Sequence, residues 1–251
     1  MVKVPRFDDQ LDSDLPRAPP LRARLSSGGF DAHSFKLEVT SMGSAIAGTD
    51  GTSSGGGPLM ELKSNVRGMA VALGVLWAIE IVDTLILGSS LQGFGIRPRT
   101  FFGLIGVVTA PLLHAGFGHL IANSLPFVIL GSLVRSRGRT TFFEATVVIA
   151  LVAGAGTWLL GAAGTNHIGA SSIIFGWFGF LLFSGIYTRS IATVAIAGAV
   201  FLFYGGLIWG VLPGRPGVSW QGHLFGFLGG WLAARALAWS DGDAKALAST
   251  R

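Results

Sequence analysis

From about residue 66 onward, the sequence is dominated by long apolar stretches separated by short polar turns. About twenty predominantly apolar residues are needed for a helix to cross the hydrocarbon core of a bilayer. The stretches that meet or approach this requirement cover residues 67–88, 118–134, 140–162, 170–188, 190–211 and 222–239. Because backbone polar groups in lipid must be paired within their own segment, each stretch is expected to be a helix. The predicted fold class is therefore all-α: a polytopic membrane protein with a bundle of six transmembrane helices.

The composition excludes several other classes of protein. Of the 251 residues, 50% are hydrophobic and only 12% are charged, whereas about a quarter of an ordinary soluble domain is charged. The absence of cysteine excludes a disulfide scaffold and a thiol enzyme. A net charge of +5 could suggest nucleic acid, but the basic residues between Gly68 and Leu237 are few and form no stripe with interleaved aromatic residues. We therefore expect membrane lipid, and no nucleic acid, among the partners.

The N-terminal residues differ from the rest of the chain. Residues 1–62 contain most of the acids, several prolines and a Gly/Ser tract over residues 51–57. Such a stretch cannot bury enough apolar area to offset the entropy lost on ordering. The sequence thus predicts a disordered cytoplasmic tail and linker over 1–62, a membrane-embedded domain over 63–240 and a short polar C-terminal tail over 241–251. No apolar signal core is present at the start, so no cleaved signal peptide is expected.

The positions of the basic residues predict the orientation. If the N-terminus is cytoplasmic, every Lys and Arg lies on the cytoplasmic side except Arg97, Arg99 and Arg215. Cytoplasmic loops of membrane proteins carry an excess of Lys and Arg. The pattern predicts cytoplasmic N- and C-termini. Because no organelle-targeting pattern is evident, we expect a bacterial plasma membrane.

The segment between the first two predicted spans is unusual. Residues 89–117 are too many for a turn and too apolar for a solvated loop. The glycines, Pro111 and the Arg97/Arg99 pair favour a loop partly inserted in the outer leaflet. The alternative is that residues 101–113 form a seventh membrane segment.

Several strongly polar side chains fall within the predicted spans. Polar groups in a membrane are costly and indicate a functional site by default. With a cytoplasmic N-terminus, the second, fourth and sixth spans all begin on the outer side. The polar residues lie at those three outer ends, and they are His119, Asn123, Ser171 and His223.

These residue types fit one reaction. A serine hydroxyl becomes an effective nucleophile when a base removes its proton, and His223 is a candidate for that base at Ser171. The resulting oxyanion needs hydrogen-bond donors. His119 and Asn123 are four residues apart and share a helix face, and the Ser171 amide is available if this residue opens a helix.

Small residues predict that the fourth and sixth spans approach closely. Small residues at helical spacing allow two membrane helices to pack backbone to backbone, and this packing would bring His223 within hydrogen-bond reach of Ser171. The glycines concerned are Gly222, Gly226, Gly229 and Gly230 in the sixth span and Gly169, Gly176 and Gly179 in or beside the fourth.

Three motifs in order resemble the rhomboid family of intramembrane serine proteases. They are His114-Ala115-Gly116-Phe117-Gly118-His119-Leu120-Ile121-Ala122-Asn123, Gly169-Ala170-Ser171-Ser172 and Gly222-His223-Leu224-Phe225-Gly226. The resemblance covers about residues 66–240 and does not include the N-terminal tail. It implies a six-helix bundle that cleaves transmembrane protein substrates near the outer leaflet, without metal or cofactor.

The resemblance also implies roles for individual residues. Ser171 would be the nucleophile and His223 the general base of a Ser–His dyad. The oxyanion would be bound by His119, Asn123 and the backbone amide of Ser171. Four further residues would support this site, and they are His114, Phe175, Gly169 and Gly226.

The sequence departs from the family pattern at two positions. Ser172 stands where the family motif usually has a second glycine, so a second hydroxyl lies beside Ser171 and the identity of the nucleophile stays open. Phe175 stands where the family often has tyrosine, so the ring is kept and the phenol is lost.

Other acids and histidines yield weaker alternatives. Without a His-Glu-x-x-His motif, and with His114 and His119 five residues apart, a zinc protease is disfavoured. An aspartyl protease is disfavoured because Gly242-Asp243 falls in the polar tail. A Ser–His dyad is favoured over a triad because no acid is clearly placed to complete one: Glu80 and Asp83 lie in the first span, with Asp83 expected to pair with the loop arginines, and Glu144 lies towards the inner side.

The sequence gives less support to non-enzymatic functions. A transporter is disfavoured because no inverted repeat is found. A catalytically inactive rhomboid-like scaffold that binds membrane proteins is the main alternative to the protease. We expect His167 to be a loop or interface residue rather than a second base. The sequence specifies neither the substrate nor the oligomeric state.

Overall fold

The computed structural model describes residues 57–214 and 216–249. Six long α-helices form its framework: α1 (Pro58–Leu85), α2 (Phe117–Arg135), α3 (Arg139–Leu160), α4 (Ser171–Thr188), α5 (Ile191–Tyr204) and α6 (Trp220–Ser249). The described residues contain no β-strand, only an isolated bridge between Ile96 and His167. The prediction of an all-α helical bundle is confirmed.

Within the part of the chain that the structure describes, five segments are long and apolar enough to cross a membrane, as judged by length and composition. They are Leu59–Leu85, Phe117–Arg135, Arg139–Leu160, Ser171–Thr188 and Ile191–Val211. The last of these joins α5 to a 3-10 helix, Gly205–Val211. Helix α6 is not among them, so length and composition identify five membrane spans where the sequence analysis expects six. It carries Gln221, His223 and Arg235 besides several glycines of low hydropathy, yet it packs against α3 and α4 as a member of the bundle.

The first helix begins earlier than predicted. Pro58 occupies the first turn after an extended Gly57, and Glu61 lies in the same turn. Proline is favoured at the first helical position, where its missing N–H is no loss. Residues 58–62, which are predicted as part of the tail, therefore belong to α1, and residues 1–56 of the predicted tail lie outside the described residues. At the other end α6 remains helical to Ser249, so the predicted C-terminal tail is helical over 241–249.

The segment between α1 and α2 is a chain of short turns. It contains 3-10 helices at Ser90–Phe94, Phe102–Leu104 and Ala110–Leu112 and one α-helical turn at Gly106–Thr109. The apolar helical part, Phe102–Leu112, is too short to cross a bilayer. A seventh membrane segment is thereby excluded. Phe101 and Phe102 are 81% and 73% exposed, as expected of a loop that faces lipid.

Helix α4 lies at the centre of the bundle. It packs most extensively against α6 and also contacts α2, α3 and α5. Trp177 and Phe178 are fully buried on it, and the rings of Phe127 and Phe142 lie 5.2 and 5.5 Å from that of Trp177. Helix α4 is therefore largely enclosed, since 11 of its 18 residues are buried.

The contact between α4 and α6 is made through backbone. A Cβ atom on Gly226 would overlap the carbonyl oxygen of Ser172, and one on Gly230 would overlap the carbonyl oxygen of Gly176. Gly229, which was expected at the same contact, instead faces Ile149 and Val152 of α3. Two glycines on one face of α6 thus allow the close approach that sets the distance between the first turns of the two helices.

Candidate active site

Ser171 and His223 meet at the beginning of their helices. Ser171 is the first residue of α4, and His223 lies in the first turn of α6. The His223 Nε2 and Ser171 Oγ atoms are 2.9 Å apart, which is a hydrogen-bond distance. This is the proximity expected from the glycine spacing. The catalytic roles of the two residues stay predictions.

The other side of the His223 ring defines its tautomer. Nδ1 lies 2.9 Å from the carbonyl oxygen of Gly210. Because a carbonyl can only accept, Nδ1 carries the hydrogen, and Nε2 of the neutral ring is left to accept from the Ser171 hydroxyl. The ring stacks on Phe175, with centroids 3.9 Å apart and planes 8° apart. The His223 ring is therefore held at one edge and on one face.

Gly210 was not predicted from the sequence. It lies in the 3-10 helix Gly205–Val211, which continues from α5. Its carbonyl occupies the position that a carboxylate occupies in a catalytic triad. A backbone acceptor carries no residue signature, so no sequence motif could have indicated it.

The buried acids have partners elsewhere. Glu80 accepts a hydrogen bond from Thr84 at 3.0 Å, and Asp83 accepts one from the backbone of Leu91 at 2.8 Å. The expected pairing of Asp83 with the loop arginines is wrong for Arg99, which donates to the carbonyls of Leu159 and Gly161. Asp83 instead fixes the turn that follows α1, because its carboxylate satisfies a free backbone donor there.

His119 lies beside the Ser171 hydroxyl. Its Nδ1 accepts from the backbone N–H of Ala115 at 3.4 Å, so the hydrogen of the neutral ring is on Nε2. A Cβ atom on Gly169 would lie 2.8 Å from this Nε2 and 3.6 Å from Ser171 Oγ. Gly169 also has a φ of +123°, which side chains rarely adopt. The absence of a side chain at Gly169 thus leaves one space that both groups border.

Asn123 and the Ser171 amide supply two further donors. Asn123 lies on the same face of α2 as His119 and is only 8% exposed, and its Nδ2 has no hydrogen-bond partner within the described part of the chain. A buried amide donor without a partner is rare and calls for an explanation. The amide of Ser171, at the first position of α4, has no acceptor within its own helix. The arrangement can therefore offer free N–H groups to a developing negative charge.

His114 connects the segment before α2 to the residue before Ser171. It is 1% exposed, and its Nε2 accepts from the backbone N–H of Ala170 at 3.4 Å. Its ring lies 5.2 Å from that of His119. Burial, and after it the repulsion that a second charge at the neighbouring His119 imidazole would cause, lowers the pKa of His114 to about 4. His114 is accordingly neutral near pH 7 and acts here as a hydrogen-bond acceptor.

Ser172 lies next to Ser171, and both residues line the same small cavity. It lines a cavity of about 20 Å³ together with Thr157, His167 and Ser219. The hydrogen bond of His223 Nε2 is to Ser171 and not to Ser172. The geometry therefore favours Ser171 as the hydroxyl that His223 can deprotonate.

His167 lies in the loop before Ser171, as expected, but it is also tied to α6. Its Nδ1 is 2.7 Å from Ser219 Oγ, and its Nε2 is 2.8 Å from Thr165 Oγ1. Ser219 was not predicted as a site residue. The signal was present in the sequence, because His167 and Ser219 precede Ser171 and His223 by the same four positions.

The described residues offer no ready-made metal site. Over residues 57–214 and 216–249, no group of three or more His, Cys, Asp or Glu side chains is close enough to hold a metal ion.

Comparison with known proteins identifies the family. The rhomboid domain family matches residues 102–240, a range that includes all three motifs. An uncharacterized protein of Mycobacterium tuberculosis is 44% identical over 183 residues, which are 70% of this chain and 76% of that protein. An uncharacterized protein of Mycobacterium leprae is 40% identical over 184 residues, 70% of this chain and 72% of that protein. A Bacillus subtilis protein provisionally named a rhomboid protease is 30% identical over 129 residues, 50% of this chain and 63% of that protein. This chain is a multi-pass membrane protein that belongs to the rhomboid family.

Proposed function

We propose that the protein is an intramembrane serine endopeptidase that cleaves transmembrane proteins with a Ser171–His223 dyad. The observation that carries this proposal is the 2.9 Å hydrogen bond between His223 Nε2 and Ser171 Oγ, together with the Gly210 carbonyl that leaves Nε2 free to accept. Membership of the rhomboid family supports the same reaction class.

The first step is acylation of the serine. His223 Nε2 takes the Ser171 proton while Oγ attacks the carbonyl carbon of the scissile peptide bond. The imidazolium that forms is stabilised by the Gly210 carbonyl at Nδ1. His223 then gives the proton from Nε2 to the leaving amine as the C–N bond breaks. A water molecule, deprotonated by the same nitrogen, hydrolyses the acyl-enzyme and restores Ser171.

The negative charge on the tetrahedral intermediate needs donors that are already in place. His119 Nε2, Asn123 Nδ2 and the Ser171 amide are the candidates. Removing one such donor typically lowers the rate by roughly 10²–10³-fold. The free Asn123 amide supports this role, because substrate would provide the acceptor that it lacks.

The distribution of basic residues supports an orientation with cytoplasmic termini. In this orientation α2, α4 and α6 begin at the outer face of a bacterial plasma membrane. The dyad would then cleave substrates near the outer leaflet. The mechanism requires no metal or cofactor, because the serine is the nucleophile and the histidine transfers the protons.

A catalytically inactive scaffold would not require the dyad to be intact. Both residues are present and hydrogen-bonded to each other. A scaffold that only binds membrane proteins would gain nothing from this arrangement. The protease is therefore the better-supported function.

The proposal is tested with the full-length protein and a transmembrane reporter substrate in liposomes. Ser171→Ala and His223→Ala should each abolish cleavage, because they remove the nucleophile and the base, while the melting temperature stays near that of the wild type. Ser172→Ala is the matched control and should retain activity. Normal cleavage by Ser171→Ala would contradict the mechanism.

A fluorophosphonate probe identifies the reactive hydroxyl independently of any substrate. The wild type and Ser172→Ala should be labelled, and Ser171→Ala should not. Labelling of Ser171→Ala but not of Ser172→Ala would move the nucleophile to the neighbouring serine.

A further inference from the structure

A second His–Ser pair lies beside the dyad. We call His167 and Ser219 the loop pair. Its His167 Nδ1 and Ser219 Oγ atoms are 2.7 Å apart. Both pairs join residues 52 positions apart, with the histidine and serine exchanged between the two segments. The loop pair therefore connects the same two segments as the dyad, four residues earlier in each.

The surrounding hydrogen bonds fix the direction of the loop pair. The Thr165 hydroxyl donates to the carbonyl of Ala162, so its oxygen accepts from His167 Nε2–H. His167 Nδ1 of the neutral ring must then accept, and the Ser219 hydroxyl donates to it. Ser219 Oγ in turn accepts from the backbone N–H of Gly222 at 3.3 Å. All donors and acceptors in this series of hydrogen bonds find partners only when His167 is neutral. Burial lowers the pKa of His167 and favours that neutral form.

Both ends of the loop pair are anchored to backbone. His167 exchanges two hydrogen bonds with Ile96, at 2.9 and 3.0 Å, so the loop before Ser171 is joined to the segment between α1 and α2. The Ser219 carbonyl accepts from the backbone N–H of His223 at 3.1 Å. The loop pair thus joins the approach to the nucleophile to the first turn that carries the base.

We propose that His167 is a positioning residue, which holds Ser219 and the first turn of α6 so that the His223 imidazole stays at hydrogen-bond distance from Ser171. Gly210 and Phe175 hold the imidazole at its edge and face, but neither fixes the backbone from which the ring projects. The glycine contact at Gly226 holds this backbone one turn further along, and the loop pair adds a constraint just before the first turn of α6. This inference rests on the proposed protease function.

The test measures kcat and KM of full-length variants with the transmembrane reporter in liposomes. His167→Phe keeps a ring but removes both nitrogens, and Ser219→Ala removes the partner. Each should lower kcat about tenfold, which is the loss expected when one hydrogen bond that positions a catalytic group is removed. KM should stay within about twofold of the wild-type value. The double variant should be no slower than the slower single variant, because both changes break the same bond.

His167→Asn tests the role of the acceptor atom. The Asn oxygen can replace Nδ1 as acceptor for the Ser219 hydroxyl, so kcat should recover to within about threefold of the wild type. Thr165→Val is the matched control, since it removes a partner of the same imidazole without touching the bond to Ser219. It should change kcat by less than about twofold. The melting temperature of each variant reports whether it is folded, and if His167→Phe does not fold, Ser219→Ala and His167→Asn decide the question.

Three outcomes would overturn the inference: an unchanged kcat in folded His167→Phe or Ser219→Ala, multiplicative losses in the double variant, or a change confined to KM. Failure of the proposed function looks different, because Ser171→Ala would then retain cleavage or the wild type would show none. If Ser171→Ala is inactive while Ser219→Ala is fully active, the role of the loop pair is rejected and the proposed protease function stands.

Discussion

The contact between α4 and α6 has two parts that differ in chemistry. At its beginning, Ser171 and His223 are joined by side-chain atoms 2.9 Å apart. Further along, Gly226 and Gly230 of α6 lie against the backbone of Ser172 and Gly176. The first part contains the proposed catalytic groups, and the second contains only backbone and glycine. Serine is a short side chain, so it reaches the imidazole only because the glycine contact brings the two backbones close together.

The glycine contact should therefore control both stability and activity. In Gly226→Ala, the added Cβ would overlap the Ser172 carbonyl oxygen, so α6 must move away from α4. We expect a loss of about 1–3 kcal/mol in the free energy of unfolding. We also expect cleavage to fall by more than about 10²-fold, because a displacement of about 1 Å at the reacting atoms can cost that much. Thermal melting and reporter cleavage measure the two effects.

Gly198→Ala is the control for the glycine contact. Gly198 lies on α5, where a Cβ atom would meet nothing within 4 Å. The stability and the activity of Gly198→Ala should stay near those of the wild type. Equal losses in the two variants would show that α6 packing has no special connection with the dyad.

A change at the proposed oxyanion site, which leaves the contact between α4 and α6 intact, should affect activity alone. Asn123→Ala removes an amide that has no partner in the described residues, so folding loses no hydrogen bond. We expect the melting temperature to stay within a few degrees and kcat to fall by about 10²-fold, with measurable residual activity from the remaining donors. An unchanged kcat would exclude Asn123 from the oxyanion site.

The stacking of Phe175 on His223 should give the smallest effect. Phe175→Leu keeps apolar volume but loses a ring contact of 3.9 Å. Aromatic pairs contribute roughly 0.5–1.5 kcal/mol beyond the area they bury, which corresponds to a loss of about two- to tenfold in kcat. Phe175→Tyr restores a ring and should stay within about twofold of the wild type in the same assay. If Phe175→Leu were as active as the wild type, the stacking would have no role in orienting the base.

The sequence predicted the features that depend on residue type and local spacing. Apolar length located the helices, because hydrocarbon-spanning segments must be long and continuous. Ser171 and His223 were recognisable because polar groups are rare in such segments. The departures from prediction are at the ends of α1 and α6 and in the span count. The helix ends differ because helix-forming residues continue beyond the apolar region. The span count differs because glycines lower the hydropathy of α6, which packs inside the bundle.

Only the tertiary structure could reveal the remaining parts of the site. The Gly210 carbonyl that orients His223 is backbone, which every residue possesses, so its role follows from where the 3-10 helix after α5 ends. The bond between His167 and Ser219 joins residues 52 positions apart, and their distance depends on how closely α4 and α6 pack. Residue type thus determined which groups could react, whereas the packing of backbones determined which of them meet and which nitrogen of His223 faces Ser171.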